Sequence, residues 1–273
     1  MQERPQILLT NDDGILSPGL WAAAAALEKL GYVHVVAPRE QSTSMGRSMP
    51  MSSDGIIETR DVVVNGRSWR VHAVGGTPAQ AVLHAVLEVM PARPNLLVSG
   101  INYGENFGTG VTISGTVGAA MEGAAFGIPS LAVSLEVDKA HHFSYSEEVD
   151  FGAAAYFTGI FAEVLLTRKM PEDVDLLKVE IPQEATPTTK WRISRLATLT
   201  YYESVAPKRT SWLEPGKLDY REAFTPEDFP HDTDVFITKA ARKVAVTPLS
   251  LDMTSRTDLS ELEALLRGME QGK

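Results

Sequence analysis

The strongest constraint in this sequence is the strand–helix–strand rhythm with which it begins. Within Gln6 to Thr10 the apolar run Ile7-Leu8-Leu9 is too short for a helix and reads as a buried strand. Ser17-Pro18 then opens a helix, with Ser as N-cap and Pro at the first helical position. The helix runs through alanines to Leu30 and stops at Gly31. Tyr32 to Ala37 is the next strand, ended by Pro38. That order predicts a parallel sheet with right-handed crossovers, so the fold class is α/β.

The rhythm continues with one interruption. Pro38 to Asp54 is polar and reads as a long loop. Ile56 to Val64 and Ser68 to Val74 flank Asn65-Gly66, a strong β-hairpin signal. Thr77-Pro78 opens a helix over Ala79 to Met90, and Asn95 to Ser99 is a buried strand. Gly100 to Gly115 is a glycine-rich loop before a helix over Thr116 to Phe126, closed by Gly127. Strands are expected at Ser130 to Leu135, Leu176 to Ile181, Trp191 to Leu196, Val235 to Lys239 and Lys243 to Thr247. Helices are expected at Glu147 to Leu166 and, with Asp258 and Glu261 resembling a capping box, at Asp258 to Arg267. Residues 200–232 have no clear period and read as an arm or hairpin. No linker divides the chain, so one domain over 1–273 is expected: a core at 1–136 and, over 137–273, the remaining core, arm and C-terminal helix.

Composition excludes several classes of function. A chain of 273 residues without cysteine has no disulfide framework, thiol nucleophile, iron–sulfur cluster or Cys-ligated zinc. No apolar run approaches the roughly 18 residues of a transmembrane helix. Met1 to Pro5 lacks the basic and apolar regions of a signal peptide, so a cytoplasmic protein is expected. A net charge of −10 argues against duplex nucleic acid as a partner. It is compatible with a small anionic substrate, because a bound cation reverses the field in one cleft.

Parallel strands deliver their following loops to one edge, where α/β sheets bind ligands. The first loop holds Asn11, Asp12, Asp13 and Gly14. Two adjacent carboxylates repel unless a cation lies between them, and an oxygen-rich pair suits Mg²⁺ or Mn²⁺. The same four residues are also an ordinary turn composition, with Asp12 capping the following helix and Asp13 in solvent. The second loop, Gln41 to Gly46, offers hydroxyls for metal or phosphate, or is simply flexible. The third holds Asn102, a neutral oxygen donor for a metal, and Asn106, an amide donor for an anion. Ser114-Gly115-Thr116 then precedes a helix, whose N-terminus is an anion site as well as a place for a cap. Together these loops fit one divalent cation beside a phosphate, a metal-activated water attacking phosphorus, and Asp12 assisting proton transfer. There is no Walker loop, and the glycines do not sit at the first strand–helix turn of a dinucleotide fold. His34 and His84 read as structural, His141-His142 lacks the spacing of a helical metal pair, and Glu122 reads as a helix-surface or supporting residue.

Read in order, these loops resemble the survival protein SurE family of metal-dependent nucleoside monophosphate phosphatases. The resemblance rests on Ile7 to Gly14, Val36-Ala37-Pro38 with Gln41-Ser42, Gly76 to Ala79, Ser99 to Asn102 with Gly104 and Asn106, and Ser114 to Gly123. Val246 to Leu249 also fits. It implies a Rossmann-like, mostly parallel sheet with flanking helices, a β-hairpin and a C-terminal extension exchanged in a homodimer or homotetramer. It implies one Mg²⁺ or Mn²⁺ per subunit on Asp12, Asp13, Ser42 and Asn102. Asn11, Gly46, Asn106, Ser114, Gly115 and Thr116 would lie about the phosphate, with Asp12 and Asp13 as the catalytic pair. The implied substrates are nucleoside 5′- or 3′-monophosphates, with short polyphosphate possible. A non-catalytic nucleotide- or metal-binding protein of the same fold is the alternative. The sequence departs from the family pattern at Gln80, Asn95, Gly110, Ile113, Lys178 and Glu180.

Overall fold

The computed structural model describes residues 4–142, 145–146 and 148–270. Its strands are β1 (Gln6–Thr10), β2 (Tyr32–Pro38), β3 (Ile57–Val64), β4 (Arg67–Val74), β5 (Leu96–Tyr103), β6 (Ser130–Leu135), β7 (Leu176–Ile181), β8 (Trp191–Ile193), β9 (Tyr202–Val205), β10 (Asp219–Glu222) and β11 (Val244–Leu249). Its α-helices are α1 (Pro18–Leu27), α2 (Pro78–His84), α3 (Gly115–Ala125), α4 (Gly152–Thr167) and α5 (Leu259–Glu270).

One sheet runs β3-β4-β2-β1-β5-β6-β7-β11-β8, and β9 and β10 form a separate antiparallel pair. The strands from β4 to β7 are parallel, whereas β3 and β11 run antiparallel to their inner neighbours. Helices cover both faces, which explains why the central strands are apolar throughout rather than alternating. In β1, Ile7 and Leu9 face a core shared with Leu20 and Trp21 of α1 and Phe157 of α4. Leu8 points the other way, into a core with Val82 of α2 and Val117 and Ala120 of α3. The hairpin turn has left-handed φ at both Asn65 (51°) and Gly66 (76°), the geometry that Asn-Gly favours. Among the described residues no helix is long and apolar enough to cross a membrane.

Several boundaries differ from the sequence expectation. α1 stops at Leu27, where the N–H groups of Leu30 and Gly31 both close onto the Leu27 carbonyl. The Ser17 hydroxyl makes no cap bond. Thr77 does cap, in a reciprocal box with Gln80, but α2 ends at His84 and widens into a π-helical turn over Ala85–Val89. β5 continues past Ser99 to Tyr103 with a register irregularity, so the glycine-rich loop begins later than Gly100. A Cβ on Gly100 would lie 2.3 Å from the Val133 carbonyl, so this glycine serves close strand approach. The helix expected from Glu147, which lies outside the described residues, starts at Gly152. β8 ends at Ile193 instead of Leu196. The strand expected over Val235 to Lys239 is absent: Phe236–Ala240 is a π-helical turn, and a short apolar run does not distinguish the two. The expected arm contains the β9–β10 hairpin.

Candidate active site

From β1 the chain moves outward to β2 and the hairpin, then returns to the other side of β1 as β5. The loops after β1 and β5 therefore flank the point where strand order reverses, the usual ligand crevice of an open α/β sheet. Asp12 and Asp13 occupy that point and are almost fully buried.

Each aspartate is held by another element. Asp12 Oδ1 accepts from Thr116 Oγ1 in the first turn of α3 (2.5 Å), and its carbonyl accepts from Ser42 N (2.7 Å). Asp13 Oδ2 accepts from Tyr103 N at the end of β5 (3.3 Å), and Oδ1 from Gln41 Nε2 (3.4 Å). The Asp13 carbonyl accepts from Tyr145 Oη (2.6 Å). Asn11 spends both side-chain polar atoms on Gly14, so its visible part in the site is to shape the turn that presents the aspartates.

The helix start is built for close approach. A Cβ on Gly115 would lie 2.7 Å from Asp12 Cβ and 2.8 Å from Oδ2. Gly115→Ala is therefore expected to push Asp12 off Thr116 and lower kcat/KM by about 10²-fold. Steady-state assay of the folded variant checks this, and wild-type values would contradict it. Ser114 is the N-cap, its Oγ accepting from Val117 N (3.1 Å). Gly46 is buried on α3, donating to the Ile113 carbonyl (2.9 Å). Beside it Arg47 pairs with Glu122 at 2.6 Å. Glu122 is buried in this pair, not a helix-surface residue.

Asn102 donates Nδ2 to the Gly104 carbonyl (2.7 Å), so the atom left for a ligand is Oδ1. It is registered opposite Ser134 of β6, whose Oγ accepts from Asn106 Nδ2 (3.0 Å). The second N–H of that amide is left for an anion. A cavity of about 280 Å³ opens beside Ser42, lined also by Arg39, Gln41, Asp54 and Gly76. A larger groove of about 510 Å³ lies at the opposite end of β1 and β2, around Arg4, Tyr32 and Trp69, away from the aspartates.

Burial pushes Asp12 up to about 6, against the hydrogen bond from Thr116, which lowers it. Asp13 is pushed well above the usual carboxylate range by burial and by the neighbouring Asp12 charge. Such a pair is poorly satisfied without a cation. Among the described residues there is no group of three or more His, Cys, Asp or Glu that would hold a metal. The donor set is thus two carboxylates with neutral oxygens nearby, which fits a hard divalent ion that keeps several waters.

The sequence singled out the loops but not all that braces them. Tyr145 carried no signal. Lys178 and Glu180 did, as two charges on one face of an otherwise apolar strand, and both are fully buried.

The profile of the Survival protein SurE family matches residues 7–203. The 5′-nucleotidase SurE of Thermococcus gammatolerans is 42% identical over 269 residues, covering 96% of each chain. That of Archaeoglobus fulgidus is 40% identical over 268 residues, 97% of this chain and 98% of its own. The crystal structure of the SurE protein from Aquifex aeolicus superposes with a TM-score of 0.70 at 31% identity, covering 96% of this chain and 99% of its own. With a profile match over more than half of its length and relatives about 40% identical over nearly the whole of both chains, this chain belongs to the survival protein SurE family.

Proposed function

We propose that this chain is a divalent-metal-dependent phosphomonoesterase that hydrolyses nucleoside monophosphates to nucleoside and phosphate. The buried Asp12–Asp13 pair beside the start of α3 carries this reading, and relatives named 5′-nucleotidase support it. Asp12, Asp13, Ser42 and Asn102 would hold Mg²⁺ or Mn²⁺. The ion would supply Lewis acidity toward a phosphoryl oxygen and would acidify a water. The phosphate would lie against the α3 N-terminus at Ser114, Gly115 and Thr116, near Gly46, with Asn106 donating from the β6 side. Asp12 Oδ1 is engaged by Thr116, so Oδ2 is the oxygen available to take a proton from the attacking water. The water oxygen bonds to phosphorus as its proton passes to Asp12, the P–O ester bond breaks, and the nucleoside oxygen leaves as a hydroxyl carrying that proton, which returns Asp12 to its carboxylate.

Phosphate release from a panel of nucleoside 5′- and 3′-monophosphates and short polyphosphate tests this, with EDTA, Mg²⁺ or Mn²⁺. Metal-dependent release is expected. Nucleotide binding without turnover under every metal would favour the non-catalytic alternative.

The metal claim has its own test in stability. Asp12 is raised from 3.8 to about 6, so without metal the folded state binds more protons than the unfolded state. The metal-free protein should therefore lose stability as pH rises from about 4 through 6, by about 3 kcal/mol from Asp12. Asp13 acts in the same direction. Mg²⁺ or Mn²⁺ should restore it at pH 8. Thermal melts with EDTA and with metal at pH 5 and 8 check this; a metal-independent Tm at pH 8 would remove the cation from the site.

The hairpin arm and α5 support a homodimer or homotetramer. Trp212 and Leu213 between β9 and β10 are 86% and 96% exposed, and Leu259, Leu262, Leu265 and Leu266 of α5 are exposed too. Burying such residues against a second copy offsets their contact with water. Sedimentation at micromolar protein should detect dimer or tetramer; monomer alone would exclude this role.

A further inference from the structure

The loop bearing Asn106 is held from behind by three buried charges. Glu180 Oε2 accepts from Asn106 N (3.1 Å), and Lys178 Nζ donates to the Asn106 carbonyl (2.8 Å). Lys178 also pairs with Glu180 Oε1 (3.1 Å) and Asp234 Oδ2 (3.0 Å). Asp234 Oδ2 accepts from Gly108 N and Oδ1 from Ala197 N, both at 2.9 Å. All three side chains are without solvent exposure. The backbone of Asn106 is thus gripped at its N–H and its carbonyl, while its side chain is steadied by Ser134.

Buried charges cost free energy to place, and a plain structural loop needs none of them. Three of their bonds to backbone fall on Asn106 and Gly108, while Asp234 also ties the network to Ala197 N. We propose that Lys178, Glu180 and Asp234 are positioning residues that fix the Asn106 amide as a donor to the phosphoryl group of the substrate. This rests on the phosphatase reading above. Rigid placement removes the ordering cost that a mobile donor would incur on binding.

Glu180→Met separates this role from mere stability. It removes the acceptor for Asn106 N and leaves Lys178 neutralised one-to-one by Asp234. In metal-loaded protein, KM for a nucleoside monophosphate and the calorimetric Kd for inorganic phosphate should both rise about tenfold. The change in kcat should stay within about threefold, and Mn²⁺ affinity without phosphate should be unchanged. Glu180→Gln keeps an acceptor and should restore phosphate binding to within about threefold of wild type. Asn106→Ala should weaken phosphate binding as much as Glu180→Met, with no further loss in the double variant. Should Glu180→Met fail to fold, Glu180→Thr, too short to reach Asn106 N, carries the same expectation. Wild-type phosphate affinity in the folded Met or Thr variant overturns the proposal, as does an equal loss in Glu180→Gln. Phosphate binding without nucleotide hydrolysis in the wild type would overturn the enzymatic reading instead, leaving the positioning claim to be judged on phosphate Kd.

Discussion

Asp13→Asn is expected to lower kcat/KM for phosphate release by roughly 10³-fold while making the metal-free protein more stable. The two effects have one origin. Asp13 is buried beside Asp12, and burial together with the Asp12 charge makes its own charge hard to carry. An amide keeps the shape of the side chain, and its oxygen still accepts from Tyr103 N, the bond that ties the first loop to β5. The turn therefore survives, and a buried charge is gone. What is lost is half of the anionic charge proposed to attract the cation. Phosphate-release assays and melts in EDTA measure the two quantities on the same sample. A variant that keeps its activity would exclude Asp13 from the metal site. A variant that loses activity and stability together would mean that its carboxylate serves the turn itself. Asp12→Asn is expected to behave alike, because its oxygen can still accept from Thr116.

Lys178→Met carries the largest expected effect on stability, a loss of about 3–5 kcal/mol. Lys178 is the cation between Glu180 and Asp234, with no exposed surface on any of the three. Burial would lower the Lys178 pKa, but the Asp234 and Glu180 charges outweigh it and hold the ammonium firmly protonated. Without it two carboxylates face each other in a space closed to water. Burial already pushes Glu180 up to about 7 even with Lys178 beside it. The variant should therefore be least impaired at acid pH, where one carboxyl takes up a proton. Denaturant unfolding at pH 5 and 8 measures this; equal losses at both would mean that lost packing, not charge, sets the effect.

The parts of the fold legible in the sequence are those set by local chemistry. β1 has its expected ends, because Gln6 and Asn11 bracket a run that is apolar on both faces. Asn65-Gly66 gave the hairpin, because few other residue pairs take left-handed φ twice. The segments bearing Asp12, Ser42 and Thr116 were legible because each follows a strand or opens a helix, whereas Asn102, expected in a loop, lies within β5. Harder to read were features decided by distant partners. Gly100 and Ile101 look like loop residues, yet the nearness of Val133 draws them into β5. Phe236–Ala240 has the composition of a strand, but Asp234, two residues before it, is committed to Lys178 and the loop of Gly108. Tyr145 reaches Asp13 from 132 residues away, and nothing beside it in the chain announces that.

That distance has a consequence for how the protein comes into being. The groups proposed to bind metal and phosphate all lie in the first 116 residues, whereas Gly108 finds its acceptor, Asp234, 126 residues further along the chain. A ribosome adding about 5–20 residues per second needs roughly ten seconds to bridge that interval. During it the emerging sheet holds two crowded aspartates and a loop with no backing. The last part of this site is thus set only in the finished chain: a nascent or truncated product ending before β7 would carry the aspartates and lack Lys178, Glu180 and Asp234, which hold the backbone of Asn106 and Gly108.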